Sequence, residues 1–126
     1  MPVRAGLSAI AKMVVTEGDT ATALSTGDVP VLATPRVVTL AEEATVQAVA
    51  GDLDAGTTTV GYRVQLDHLA PTAVGGQVHA EAILETVEGR RLTFRVSVSD
   101  GRGLVAAGRI TRVVVERDRF LDKAGT

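Results

Sequence analysis

The chain contains no cysteine, which excludes a disulfide framework, a thiolate nucleophile and any zinc site built on Cys. It has no tryptophan, one tyrosine and two phenylalanines. A pocket must therefore be walled by Val, Leu, Ile and Ala, and stacking-based recognition of bases is not expected. No segment approaches the ~20 apolar residues of a membrane-crossing helix. The opening run MPVRAGLSAIAKMVV has a lysine among its apolar residues and no clean apolar core, so no secretory leader is expected. Neither charge dominates: Lys and Arg number 13 against 15 acidic residues, for a net charge of −2. That balance gives no reason to expect a nucleic-acid or membrane-surface partner. A phosphate loop, a Gly-x-Ser-x-Gly elbow and a His-x-x-x-His pair are all missing, and neither a metal nor a cofactor is expected. The lack of cysteine is compatible with the cytoplasm, the expected location.

What is present suffices for a core. Hydrophobic residues make up 45% of 126, which fits one domain spanning residues 1–126. Leu7 to Val15 reads as a strand. Thr16 to Pro30, TEGDTATALSTGDVP, reads as a long irregular connection of the kind that forms lids or entrances, or merely a solvated connector. Thr34-Pro35 is a helix start signal, with threonine capping the first amides. Val37, Ala41, Ala44 and Ala48 recur at helical spacing until Gly51, which predicts a helix over roughly Pro35 to Ala50.

The period then changes to two. Val60, Tyr62, Val64 and Leu66 alternate with Gly61, Arg63 and Gln65, followed by Val78 to Leu84, Leu92 to Val98 and Leu104 to Val115. Asp100-Gly101 marks a hairpin. Short turns force antiparallel neighbours, so the expected fold is α+β, a curved antiparallel five-stranded sheet wrapped around one central helix. One helix cannot cover five strands, and the leftover edge or face predicts a homodimer.

Several polar residues fall in apolar positions. VLATPRVVTLAEEA, Val31 to Ala44, carries two adjacent glutamates. Glu43 lies opposite the apolar stripe and reads as solvated charge. Glu42 lies at its margin, in line with Val38, Thr45 and Val49. A carboxylate there either bends out to water, pairs with an arginine, or is used. As a half-buried charge, its removal in Glu42→Gln is expected to hold or raise the melting temperature. His68 shares the parity of Val60 to Leu66 and is expected to point inward, whereas Asp67 points away. Gly61 interrupts a strand, marking either a close approach of backbone or ligand, or a twist. Arg90-Arg91 follow a turn and could meet phosphates or water. His79 takes the polar parity and receives no role.

The stretches VLATPRVVTLAEEA, TTTVGYRVQLDHLAPTAVGG and VEGRRLTFRVSVSDGRGLVAAGRITRVVV together resemble the hot-dog thioesterases of the fluoroacetyl-CoA thioesterase type, over about Val31 to Val115. The resemblance implies a hot-dog fold, a dimer with active sites near the subunit interface, and hydrolysis of a small acyl-CoA, with CoA belonging to the substrate rather than serving as a cofactor. It places catalytic roles on Thr34, Glu42 and His68. Substrate contacts fall on Gly61 and on Pro35, which stands where the fluoroacetyl-specific pattern has glycine. In this reading Glu42 is nucleophile or general base, assisted by His68 and Thr34. The alternative is a non-catalytic hot-dog module that binds acyl-CoA or another small ligand. Eight helical residues separate Thr34 from Glu42, about 12 Å along the axis. Either the regular helix begins after Thr34 or the two residues touch different substrate atoms.

Overall fold

The computed structural model describes residues 3–126; the first two residues of the opening run lie outside them. Five strands, β1 (Ser8–Val14), β2 (Thr57–His68), β3 (Gln77–Glu88), β4 (Arg91–Asp100) and β5 (Gly103–Glu116), form one sheet in the order β1-β3-β4-β5-β2. All neighbours are antiparallel. Helix α1 (Thr34–Val49) lies across one face of this curled sheet, mainly over β1 and β3.

The apolar alternation explains that embrace. Val78, Ala80, Ala82 and Leu84 of β3 and Leu92, Phe94, Val96 and Val98 of β4 are all buried. They meet Val37, Leu40, Ala41, Ala44, Ala48 and Val49 of α1 in one cluster. The alanines on both surfaces let helix and sheet approach closely, while Phe94 fills the centre. Each fully buried Val, Leu or Phe there is worth about 1.5–3 kcal/mol.

Four features differ from the sequence reading. Helix α1 begins at Thr34, with Ala33 as the residue preceding the first turn and no side-chain cap. Thr34 therefore does not cap the helix; its hydroxyl is engaged elsewhere. The connection from Thr16 to Pro30 contains a 3-10 turn at Glu17–Asp19 and is pinned by bridges from Thr20 to Leu32 and from Val31 to Ala73. A short helix, α2 (Arg117–Lys123), follows β5 directly, capped by the Glu116 carboxylate; its single apolar pair, Phe120-Leu121, is too little to register as a helical period.

The fourth difference concerns β2. Its register against β5 slips between Gly61 and Arg63, leaving Tyr62 as an extra residue in a bulge. A bulge inverts the alternation from that point on. Thr59 and Gly61 therefore face α1, Val60 and Tyr62 face outward, and inward parity resumes at Val64, Leu66 and His68. The inward placement expected of Val60 and Tyr62 is thus overturned, while that of His68 is kept. Strand β2 is also an edge, with one strand neighbour only.

Candidate functional site

Two polar groups face the gap between α1 and β2. The first joins the start of the helix to the end of the strand: Thr34 Oγ1 and His68 Nδ1 lie 2.8 Å apart. The other ring nitrogen, His68 Nε2, is buried with no protein hydrogen-bond partner. An unpartnered buried nitrogen is costly, and it is the atom of the ring that a substrate could meet. Which of the two donates depends on the ring tautomer.

The second group lies two helical turns further on. Arg112 of β5 is 6% exposed. Its Nε donates to Thr59 Oγ1 at 2.9 Å, its Nη2 to the Thr59 carbonyl at 3.1 Å, and its Nη1 to Glu42 Oε2 at 2.9 Å. Burial pulls the guanidinium below its usual value, and the charge and hydrogen bond of Glu42 offset part of that pull. Arginine remains charged nonetheless. The Glu42 side chain keeps 34% exposure and lines a shallow cleft of about 380 Å³ with Thr39, Glu43, Val46, Gln47 and Arg112. Pairing with an arginine, one of the alternatives the sequence left open, is therefore the arrangement observed. It orients the carboxylate and leaves it reachable.

Gly61 sits directly opposite Arg112 in the ladder. A methyl group at Gly61 would lie 2.7 Å from Glu42 Oε2, so the missing side chain makes room for that carboxylate. Glu43, by contrast, is 46% exposed and reaches only Arg36 at 3.7 Å. Pro35 is exposed in the first turn; its carbonyl accepts from Thr39 Oγ1 at 3.0 Å. His79 is exposed on another strand.

The fold thus brings Thr34 to His68 and Gly61 to Glu42, as two pairs. Since α1 is regular from Thr34, the separation of about 12 Å along the axis stands. Reasoning from sequence missed Arg112 and Thr59. Arg112 had a readable signal: it shares the parity of Ile110 and Val114 on β5, where a charge must find a buried partner.

Comparison with known proteins gives a consistent picture. A family profile described as fluoroacetyl-CoA-specific thioesterase matches residues 15–118. The fluoroacetyl-CoA thioesterase of Streptantibioticus cattleyicolor is 39% identical over 90 residues, covering 71% of this chain and 65% of that protein; the match thus spans just under two thirds of that relative's length. A solved structure of the fluoroacetyl-CoA thioesterase FlK superposes with a TM-score of 0.92 at 32% identity, covering 98% of this chain and 96% of that one. A thioesterase superfamily member from Thermus thermophilus gives a TM-score of 0.90 at 30% identity, covering 97% and 90%.

Proposed function

The chain belongs to the fluoroacetyl-CoA-specific thioesterase family, and we propose that it hydrolyses a small acyl-CoA thioester, using Glu42 with Thr34 and His68. The observation that carries this reading is the Glu42 carboxylate held by Arg112 against Gly61. It is a fixed, reachable oxygen base in a cleft, beside a strand with a free edge. The start of α1, at Thr34, presents the positive end of the helix dipole, which can receive a carbonyl oxygen as it gains charge. Glu42 either attacks the carbonyl carbon, giving an anhydride that water opens, or removes a proton from the attacking water. In both routes the C–S bond breaks, His68 delivers a proton to the leaving thiolate, and the products are the free acid and the CoA thiol. Pro35 and Gly61 flank the acyl group.

The distance between the two polar pairs is resolved by a homodimer. Antiparallel pairing of the β2 edge with its copy, centred on Gln65 and with Tyr62 as the extra residue of the bulge, sets Gly61 of one chain opposite residue 68 of the other. Glu42 and Arg112 of one subunit then meet the threonine–histidine pair of its partner, and each site draws on both chains. Tyr62 and Val64, 52% and 39% exposed, would be covered. Light scattering should give about twice the 13.0 kDa chain mass.

Turnover of a panel from acetyl- and fluoroacetyl-CoA to longer acyl-CoAs, followed with a thiol reagent, tests the activity. Release of no thiol from any member, with saturable acyl-CoA binding retained, would favour the non-catalytic module. Mixing Glu42→Gln chains with His68→Ala chains tests the shared site. Random re-pairing should restore about a quarter of the parent rate, and a mixture as inactive as its components would place each site within one subunit.

A further inference from the structure

The Asp100-Gly101 hairpin, which turns β4 into β5, also reaches outside its own turn. One oxygen of the Asp100 carboxylate, Oδ1, accepts from the Arg102 amide at 2.8 Å. The other, Oδ2, accepts from the Thr72 hydroxyl at 2.7 Å, across 28 residues of sequence. Thr72 lies between β2 and β3 and is 4% exposed. A hydroxyl bonded to a carboxylate is a short, strong contact. It is the first cause holding the Asp100 carboxyl below its usual value; burial opposes it, and the amides of Arg102 and Gly103 and the Arg102 charge assist.

The backbone of the same segment serves a second element. The Thr72 carbonyl accepts from the Leu32 amide at 2.8 Å, and Val31 bridges to Ala73. Leu32 and Ala33 are buried and lead directly into Thr34. In the other direction the segment leaves His68 through Leu69 and Ala70, whose amides donate to the Val105 carbonyl at 2.7 and 3.2 Å. Thr72 is therefore where the chain that follows His68 touches the chain that precedes Thr34. Its side chain has little slack, since a Cβ at Gly76 would lie 2.6 Å from Thr72 Cγ2.

We propose that Thr72, anchored by Asp100, is a positioning residue that sets the spacing of Thr34 and His68. The anchor ties the segment to the β4–β5 hairpin. Without it the segment can shift, and its bond to Leu32 carries the start of α1 along. A misplacement of about 1 Å can cost about 10²-fold in rate. The effect on turnover rests on the thioesterase reading, whereas the effect on the threonine–histidine contact does not.

Imidazole nitrogen NMR reads the contact without any turnover. The chain has two histidines, and His79→Gln assigns their signals. Thr72→Val keeps the buried shape and removes the donor; it should move the His68 Nδ1 signal and leave His79 in place. Thr72→Ser keeps the donor and should return His68 to the parent position. With acyl-CoA, Thr72→Val should lower kcat about tenfold or more while KM stays within about twofold. Thr72→Ser should restore most of that rate. Asp100→Ala should match Thr72→Val, and combining the two should add little, since both break the same bond. In a Thr34→Val background, where the pair is already lost, Thr72→Val should lower kcat by less than about twofold. An unmoved His68 signal, or the same loss in both backgrounds, would overturn the proposal and leave Thr72 a packing residue. If circular dichroism shows Thr72→Val unfolded, Gly76→Ala takes its place, because the added methyl displaces the Thr72 side chain; an unmoved His68 signal there overturns the proposal equally. If no acyl-CoA releases thiol, the thioesterase reading falls and the NMR comparison alone decides the anchor.

Discussion

Arg112 Nη1 donates to Glu42 Oε2 at 2.9 Å, tying the middle of α1 to β5 across 70 residues of sequence. The arginine is buried and the glutamate is one-third exposed. Each controls the other: Glu42 gives the buried cation a counter-charge, and Arg112 fixes the direction of the carboxylate.

That pairing reverses one expectation drawn from sequence. With no partner, Glu42→Gln would hold or raise the melting temperature. With Arg112 left buried and losing its anion, the variant should instead lose about 1–2 kcal/mol, since the amide oxygen still accepts one hydrogen bond. Calorimetry should show a midpoint several degrees lower. On the proposed mechanism kcat should fall at least about 10²-fold, because an amide neither attacks nor takes the proton. Glu43→Gln, on the same helix and directed at solvent, should stay within a few-fold of the parent. Equal rates for all three proteins would remove Glu42 from the chemistry.

Gly61→Ala separates position from stability. The added methyl meets the far end of a flexible side chain, 2.7 Å away, so Glu42 can move aside at small cost. The thermal midpoint should drop less than in Glu42→Gln, while kcat falls about tenfold or more from the displaced carboxylate. A parent-like rate in this variant would show that the Glu42 position has no bearing on turnover.

The threonine–histidine contact predicts a graded series. His68→Ala should lower kcat about 10²-fold, and His79→Ala, on the exposed face, should change it little. Thr34→Ser keeps the hydroxyl at 2.8 Å from Nδ1 and should stay near the parent, whereas Thr34→Val should follow His68→Ala. Circular dichroism of each variant reports whether the fold survives; unfolding in His68→Ala would assign that residue to structure.

Acid sensitivity has a definite sign. Hydrogen bonds from the Thr16 amide, and then from its hydroxyl and from Arg36, hold the Asp19 carboxyl below its usual value, with burial opposing them. A carboxyl with a lowered folded-state pKa stabilises the protein above its unfolded value of about 3.9, and that contribution disappears as pH falls through the folded value. Melting curves of the parent and Asp19→Asn should differ most above about pH 5 and converge only as pH falls from about 3.9 through the lowered folded value. A gap that is constant with pH would exclude the charge as its cause.

The local pattern of residues determined most of the architecture. Alternation in Val78–Leu84 and Leu92–Val98 placed β3 and β4 and their inward faces, and the Val37/Ala41/Ala44/Ala48 stripe placed α1, because the helical and strand periods are properties of a few consecutive residues. The inward direction of His68 was legible for the same reason, because Val64 and Leu66, which share its parity, lie on its side of the bulge. Three matters were decided by tertiary structure alone. The slip of β2 against β5 turned Tyr62 outward, and a slip in register depends on two strands nearly 50 residues apart. The partner of Glu42 was fixed by which strand lies beside Gly61, which no local period encodes. The gathering of Tyr62, Arg91, Arg119 and Phe120 followed from a hairpin, a bulge and a terminal helix converging on one side of the sheet. Periodicity tells a side chain which face it takes, while only the pairing of distant strands tells it what it meets there.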